Sequence, residues 1–234
     1  MTLERLGPYL QVLLLLLATI PTAVAQTKTQ IQKMSGWQHC TSCAGKAGAG
    51  PTSSINTTQG IGSPSLSGSS MQFSLRPSTS FADALWWKQL GSASGATHFT
   101  YSLDFYIGTP QFSQALEFDV NQSVNGKKFI FGTECSMGRH EWDIYDDAGH
   151  HWVHSGIACH VSASKWHHLR WEFQRVGSQV HYVSVTLDGA QHLVNRSFGA
   201  RPSGVHELNI AFQMDGNRNH NAYKTWLDNV SLSY

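Results

Sequence analysis

The sequence is poor in charge, and that scarcity narrows what it can do. Lys, Arg, Asp and Glu make up 13% of its 234 residues, and the net charge is +1. It has no block of Lys and Arg, so no nucleic acid partner is expected. A single long apolar run stands near the start and no second one follows, so no membrane span is expected in the mature chain. Nothing repeats at the helical period over a long stretch, which argues against a helical domain. Gly-x-Ser-x-Gly elbows and glycine-rich phosphate loops are also missing, so esterase and nucleotide chemistry have no support.

The apolar run that is present belongs to a targeting pattern. Arg5 precedes LQVLLLLLATI at Leu10–Ile20, and Ala23 and Ala25 fill the small-residue positions of a cleavage site. The run falls short of the ~20 residues that cross a bilayer, so residues 1–25 read as a cleaved signal peptide. The mature protein is then secreted, periplasmic or extracellular. A polar linker is expected at 26–35 and one domain over 36–234. Secretion makes disulfides the default for Cys40, Cys43, Cys135 and Cys159. Of three pairings, the two local ones are favoured, Cys40–Cys43 and Cys135–Cys159.

Short runs with a period of two fill the rest. In HFTYSLDFYIG, Phe99, Tyr101, Leu103, Phe105 and Ile107 share one face, and Thr100, Ser102, Asp104 and Tyr106 the other. Leu116, Phe118 and Val120 alternate with Glu117, Asp119 and Asn121. Leu208, Ile210, Phe212 and Met214 alternate with Asn209, Ala211, Gln213 and Asp215. Some ten such strands predict an all-β sandwich in which apolar faces meet and one polar face forms a concave surface. FADALWWKQLG, at 81–91, is ambiguous between a strand and a helical turn.

These residues resemble the concanavalin A-like lectin and glucanase superfamily. KWHHLRWEFQRVGSQVHYVSVTLDG is similar to a laminin-G-like strand and hairpin, TWLDNVSLSY to a closing strand, and LEFDVNQ to the acidic strand of legume lectins and glucanases. The chain also resembles secreted bacterial proteins of that superfamily. The resemblance implies a jelly-roll β-sandwich of two antiparallel sheets. On the glucanase pattern, Glu117 matches the nucleophile and Asp119 its supporting acid. The acid/base position falls on Asn121, or on Gln122 if a bulge intervenes, and neither amide can give a proton to a leaving group. Glu134 on the following strand is the one substitute. On the lectin pattern the same Glu117 and Asp119 hold metals, calcium among them, yet Asn125, His140 and Asp143 stand at the wrong distances.

The reading that follows is a secreted, lectin-like protein that binds a poly- or oligosaccharide without cleaving it. Asp104, Glu117, Asp119, Asn121, Gln122, Glu134, Gln213 and Asp215 are expected on the concave face, with Trp87, Trp142 and Trp152 as stacking platforms. Trp171 and Trp226 are expected in the core. A β-glycan hydrolase or lyase using Glu117 is the enzymatic alternative, and an envelope module that binds protein is the third. The plainest alternative makes Glu117 and Asp119 solvated residues near Lys127, Lys128 or Arg170. His150, His151, His154 and His160 read as a polar loop rather than a zinc site. Asn56, Asn121, Asn195 and Asn229 lie in glycosylation sequons.

Overall fold

The computed structural model describes residues 26–41 and 52–234. The strands are β1 (Thr27–Lys28), β2 (Gln38–Cys40), β3 (Thr52–Ile61), β4 (Ser70–Pro77), β5 (Asp83–Gly91) and β6 (His98–Ile107). Then come β7 (Ser113–Val124), β8 (Lys127–Phe131), β9 (Thr133–Ser136), β10 (Glu141–Asp146) and β11 (His151–Ala158). The chain continues through β12 (Lys165–Val176), β13 (Gln179–Leu187), β14 (Ala190–Gly199), β15 (Arg201–Pro202), β16 (Glu207–Gly216) and β17 (Tyr223–Ser233). Two antiparallel sheets result. The first runs β14-β13-β12-β6-β17-β4-β3, with β1 on β17. The second runs β11-β10-β9-β7-β16-β5-β2, with β8 joining β7 to β15. This is an all-β sandwich, as the alternating pattern predicts, with the two antiparallel jelly-roll sheets that the resemblance implies. The ambiguous stretch at 81–91 is a strand.

Large aromatic side chains hold the two layers together. Phe73 of the first sheet meets Phe212 of the second at 4.9 Å between ring centroids, and Phe105 meets Phe118 at 5.2 Å. Phe173 meets Phe131 at 5.1 Å, and Trp171 meets Trp142 at 5.3 Å. Such pairs add ~0.5–1.5 kcal/mol each beyond the area they bury. They fix which face of each strand points inward. Every Glu, Asp or Asn that alternates with them is thereby sent to the outer face of its sheet.

Several expectations are corrected here. Residues 26–35 are not a linker. Gln26 and Tyr234 exchange backbone hydrogen bonds, β1 pairs with β17, and Ile31 is fully buried. Gln32 donates to Asp228, which also accepts from Ser65, Leu66 and Ser67. Burial opposes charge on Asp228, but those donors outweigh it and hold its carboxyl at about 2. Trp171 is core as expected, whereas Trp226 lies half-buried on the outer face of the first sheet, beside Tyr106. Cys135 and Cys159 form a buried disulfide that ties the β10–β11 hairpin to β9. Cys40 is disulfide-bonded, and Cys43 and the expected signal peptide lie outside the described residues. Among the described residues no helix is long and apolar enough to cross a membrane.

Phe118 stands where the interlayer contacts converge, against Phe105, Trp142 and Phe212. Phe118→Ala should therefore lower the unfolding free energy by about 3–5 kcal/mol, read from urea denaturation. A loss under about 1 kcal/mol, the range of a minor repacking, would show that the layers are held elsewhere.

Candidate functional site

Strand β7 aims Leu116, Phe118 and Val120 at the core, so Glu117, Asp119 and Asn121 point outward from the second sheet. Antiparallel pairing then assembles their neighbours. Across from Glu117 stand Gln213 on β16 and Glu134 on β9, and Asp143 on β10 stands across from Glu134. Asp215 on β16 pairs with Asp83 on β5. Six carboxylates thus share one face across five strands. None exceeds 9% exposure, which rules out the reading of Glu117 and Asp119 as solvated surface residues. Arg170 lies on the other sheet, bonded to Glu172.

Few donors serve this cluster. The Gln213 amide bonds Glu117 and, at 2.9 Å, Asp215. Asp119 accepts the Thr133 backbone N–H at 3.0 Å. Arg139 bonds Asp143 and lies 3.6 Å from Glu134, and His154 Nδ1 lies 2.8 Å from Asp143. Asn121 donates to Asn209 at 3.0 Å, so it sits in an amide pair beside the acids. Gly132 makes room for Tyr145, since a Cβ there would meet the Tyr145 side chain at 2.9 Å.

Burial dominates the chemistry of these acids. It lifts Glu117 well above the usual carboxylate range, helped by the charges of Asp215, Asp119, Glu134 and Asp83. Glu134 is pushed up to about 9 by burial, by its hydrogen bond with Asp143 and by Asp215, against the pull of Arg139. Burial carries Asp119, Asp215 and Asp83 to about 7; the Thr133 N–H and Lys128 restrain Asp119, and Gln213 restrains Asp215. At neutral pH the face therefore holds protons. A protonated carboxyl donates a hydrogen bond where an ionised one only accepts.

The structure brings together Glu117, Asp119, Asn121, Glu134, Gln213 and Asp215. Three expected residues are elsewhere. Asp104 is on β6, in the other sheet, bonded to His168 and Asn229. Both outer faces are polar, so alternation alone could not tell the sheets apart. Gln122 points inward and donates to the carbonyls of Ala93 and Ala96, because β7 runs without a bulge there. Trp142 is fully buried; Asp143 and Tyr145 take the outward positions of β10.

Trp87 and Trp152 do reach this face. Trp87 stands across from Ala211, which pairs with Asp119. Trp152 pairs with Tyr145, their rings 5.1 Å apart. Both tryptophans are half-exposed, one at each side of the acids. The sequence does not reveal Asp83, Arg139 or Tyr145: Asp83 and Tyr145 join the site through cross-strand pairing, and Arg139 reaches Asp143 from the β9–β10 turn.

The lectin-type metal set does not form. Asn125 is in the β7–β8 turn with φ +53°, and His140 stacks near His160, away from Asp119. Of the clustered histidines only His154 reaches a carboxylate of this face. Oxygens of Glu117, Glu134 and Asp215 do lie within 4.8 Å of one another, as do ligand atoms of Glu141, Asp143 and His154. A cavity of about 520 Å³ lies apart from all of these, lined by Asn56, Arg76, Phe112, Lys224 and Trp226 among others. It has no acid in its lining, so its size does not outweigh the chemistry of the second sheet.

The raised acids carry a pH dependence of definite sign. The unfolded chain gives up these protons near pH 4, and the folded chain keeps them to about 7 and 9. Above pH 4 the unfolded state binds fewer protons, so stability falls as pH rises toward 9. In chelator, urea melts should show a lower unfolding free energy at pH 8 than at pH 5. Glu134→Gln, which mimics the protonated acid, should flatten that slope. A steeper slope in the variant would contradict the assignment.

No protein-family model matches the sequence, and no curated protein matches it. Solved structures do. An endo-β-1,4-glucuronan lyase from the fungus Trichoderma reesei superposes with a TM-score of 0.54 at 11% identity, over 88% of this chain and 94% of the lyase. The cellulose-induced protein Cip1 gives 0.52 at 8%, over 84% of this chain and 90% of Cip1. Peanut lectin gives 0.47 at 10%, over 91% and 98%. At these identities the likeness is one of fold alone, the two-sheet antiparallel jelly roll described above.

Proposed function

We propose that this protein is a secreted carbohydrate-binding jelly roll that receives a saccharide on the outer face of its second sheet. One observation carries the reading: hydrogen-bonding carboxyls are flanked on both sides by half-exposed aromatic rings. Sugars present C–H faces that stack on rings and hydroxyls that need both donors and acceptors. Trp87 and Trp152 offer the rings, five strand steps or ~24 Å apart at the usual strand spacing. The acids, part protonated, together with the Asn121–Asn209 pair, offer the donors and acceptors. The name of the lyase gives that protein a polysaccharide substrate, glucuronan, which agrees with this reading. The Cys135–Cys159 disulfide agrees with an extracellular or periplasmic place, as does the signal-peptide pattern of the sequence over 1–25.

A second reading, that of a glycan hydrolase or lyase, is favoured by Glu134. It stands across from Glu117 with oxygens within 4.8 Å, near the ~5–5.5 Å separation of paired catalytic carboxyls. Burial keeps a proton on Glu134, which fills the role that Asn121 cannot.

Affinity electrophoresis against neutral and uronate-containing polysaccharides tests the first reading. Trp87→Ala and Trp152→Ala should each weaken binding by about 2–10-fold, the worth of one stacking contact. Retention by no polysaccharide would sink it. Release of reducing or unsaturated ends, abolished in Glu117→Gln and Glu134→Gln alike, would replace it by the second.

A further inference from the structure

We propose that Glu117, Glu134 and Asp215, backed by Asp83, form a binding site for a hard divalent cation of the calcium type. The inference stands apart from the saccharide reading and uses no sugar contact. Three strands deliver the ligands: β7, β9 and β16 place Glu117, Glu134 and Asp215 with oxygens within 4.8 Å of one another. Calcium holds its oxygens at 2.3–2.6 Å, so any two of them lie within about 5.2 Å. The set contains only carboxylates, with no thiolate and no imidazole. That donor chemistry selects calcium, magnesium or manganese over zinc and copper.

Asp83 is the independent observation. It is 1% exposed, lies across from Asp215, and no other residue donates to its oxygens, its own backbone N–H giving the one partial relief. A buried carboxylate without a donor is costly, and so is a buried charge without a counter-charge. Nearby protein groups do not meet the need. Gln213 is bound to Glu117 and Asp215, and Arg139 makes its closer bond to Asp143. A cation held by Glu117, Glu134 and Asp215 supplies their missing counter-charge and places one beside Asp83, whose charge already acts on Asp215 and Glu117. It differs from the metal pattern of the lectin resemblance, because Asp119 is held by Thr133 and takes no part. The neighbouring group of Glu141, Asp143 and His154 is a weaker candidate, because Arg139 already neutralises Asp143.

The test uses the full mature chain, stripped with EDTA and dialysed at pH 8. Tm is followed while CaCl₂, MgCl₂, MnCl₂ or ZnCl₂ is added. A saturable rise is expected with calcium, with a smaller one or none with zinc. Glu117→Gln and Asp215→Asn should each weaken the apparent calcium affinity by about tenfold or more, as loss of a carboxylate ligand does. Asp104→Asn, on the other sheet, should leave it unchanged. The amide variants remove a penalised charge at nearly constant volume, and near-ultraviolet circular dichroism of the buried tryptophans checks that they fold. No Tm response to any cation overturns the proposal. So does an undiminished response in both amide variants, or one lost in His154→Ala but kept in Glu117→Gln. Polysaccharide binding measured separately in excess EGTA tells a failure here from a failure of the saccharide reading.

Discussion

Six buried carboxylates on one sheet face set the terms for the rest of this molecule. Asp83, Glu117, Asp119, Glu134, Asp143 and Asp215 lie within five adjacent strands, and the Arg139 guanidinium is bonded to Asp143 and lies 3.6 Å from Glu134. In so little water they cannot all be ionised. Each must keep a proton, accept strong donors or share a cation. Asp143 takes the second course, through Arg139 and His154, and Asp119 takes it in part. Glu117, Glu134, Asp215 and Asp83 are left with the first or the third. The proposed saccharide, proton-transfer and cation roles all rest on this shortage.

The shortage is imposed by the core. The interlayer aromatic pairs fix the inward face of β7, β10 and β16, and alternation then leaves the acids no other side. Asp228 shows how the same chain treats a buried acid whose task is structural. Four hydrogen bonds from Ser65, Leu66 and Ser67, and one from Gln32, surround it and keep it charged. The acids of the second sheet receive no such shell. Strain retained at one place and relieved at another is the usual mark of a working site.

Much of this was legible from periodicity. The inward faces of β6, β7 and β16 match the alternation of Phe99–Ile107, Leu116–Val120 and Leu208–Met214 residue by residue. Glu117, Asp119, Gln213 and Asp215 were found because each lies on a clearly alternating strand. Asp104 was misplaced because a period of two tells inside from outside but not one sheet from the other. Trp142 was misplaced because EWDIYDD is short, and its phase rests on the pairing of Trp142 with Cys135. Glu134 could be seen as a neighbour but not as the residue facing Glu117, since register across strands is a tertiary property. Asn121 reads as a missing acid along the strand; across the strands, Glu134 faces Glu117, a pairing that periodicity does not reveal.

The protonation of the face is the claim on which the account rests. Carbon-13 NMR of the Glu and Asp side-chain carboxyls, followed from pH 4 to pH 10 in chelator, measures it directly. The account predicts that Glu134 keeps its proton through neutrality and loses it near pH 9, with Asp119 and Asp215 losing theirs near 7. Carboxyl signals that all titrate at or below the ordinary 4 to 4.5 would contradict it.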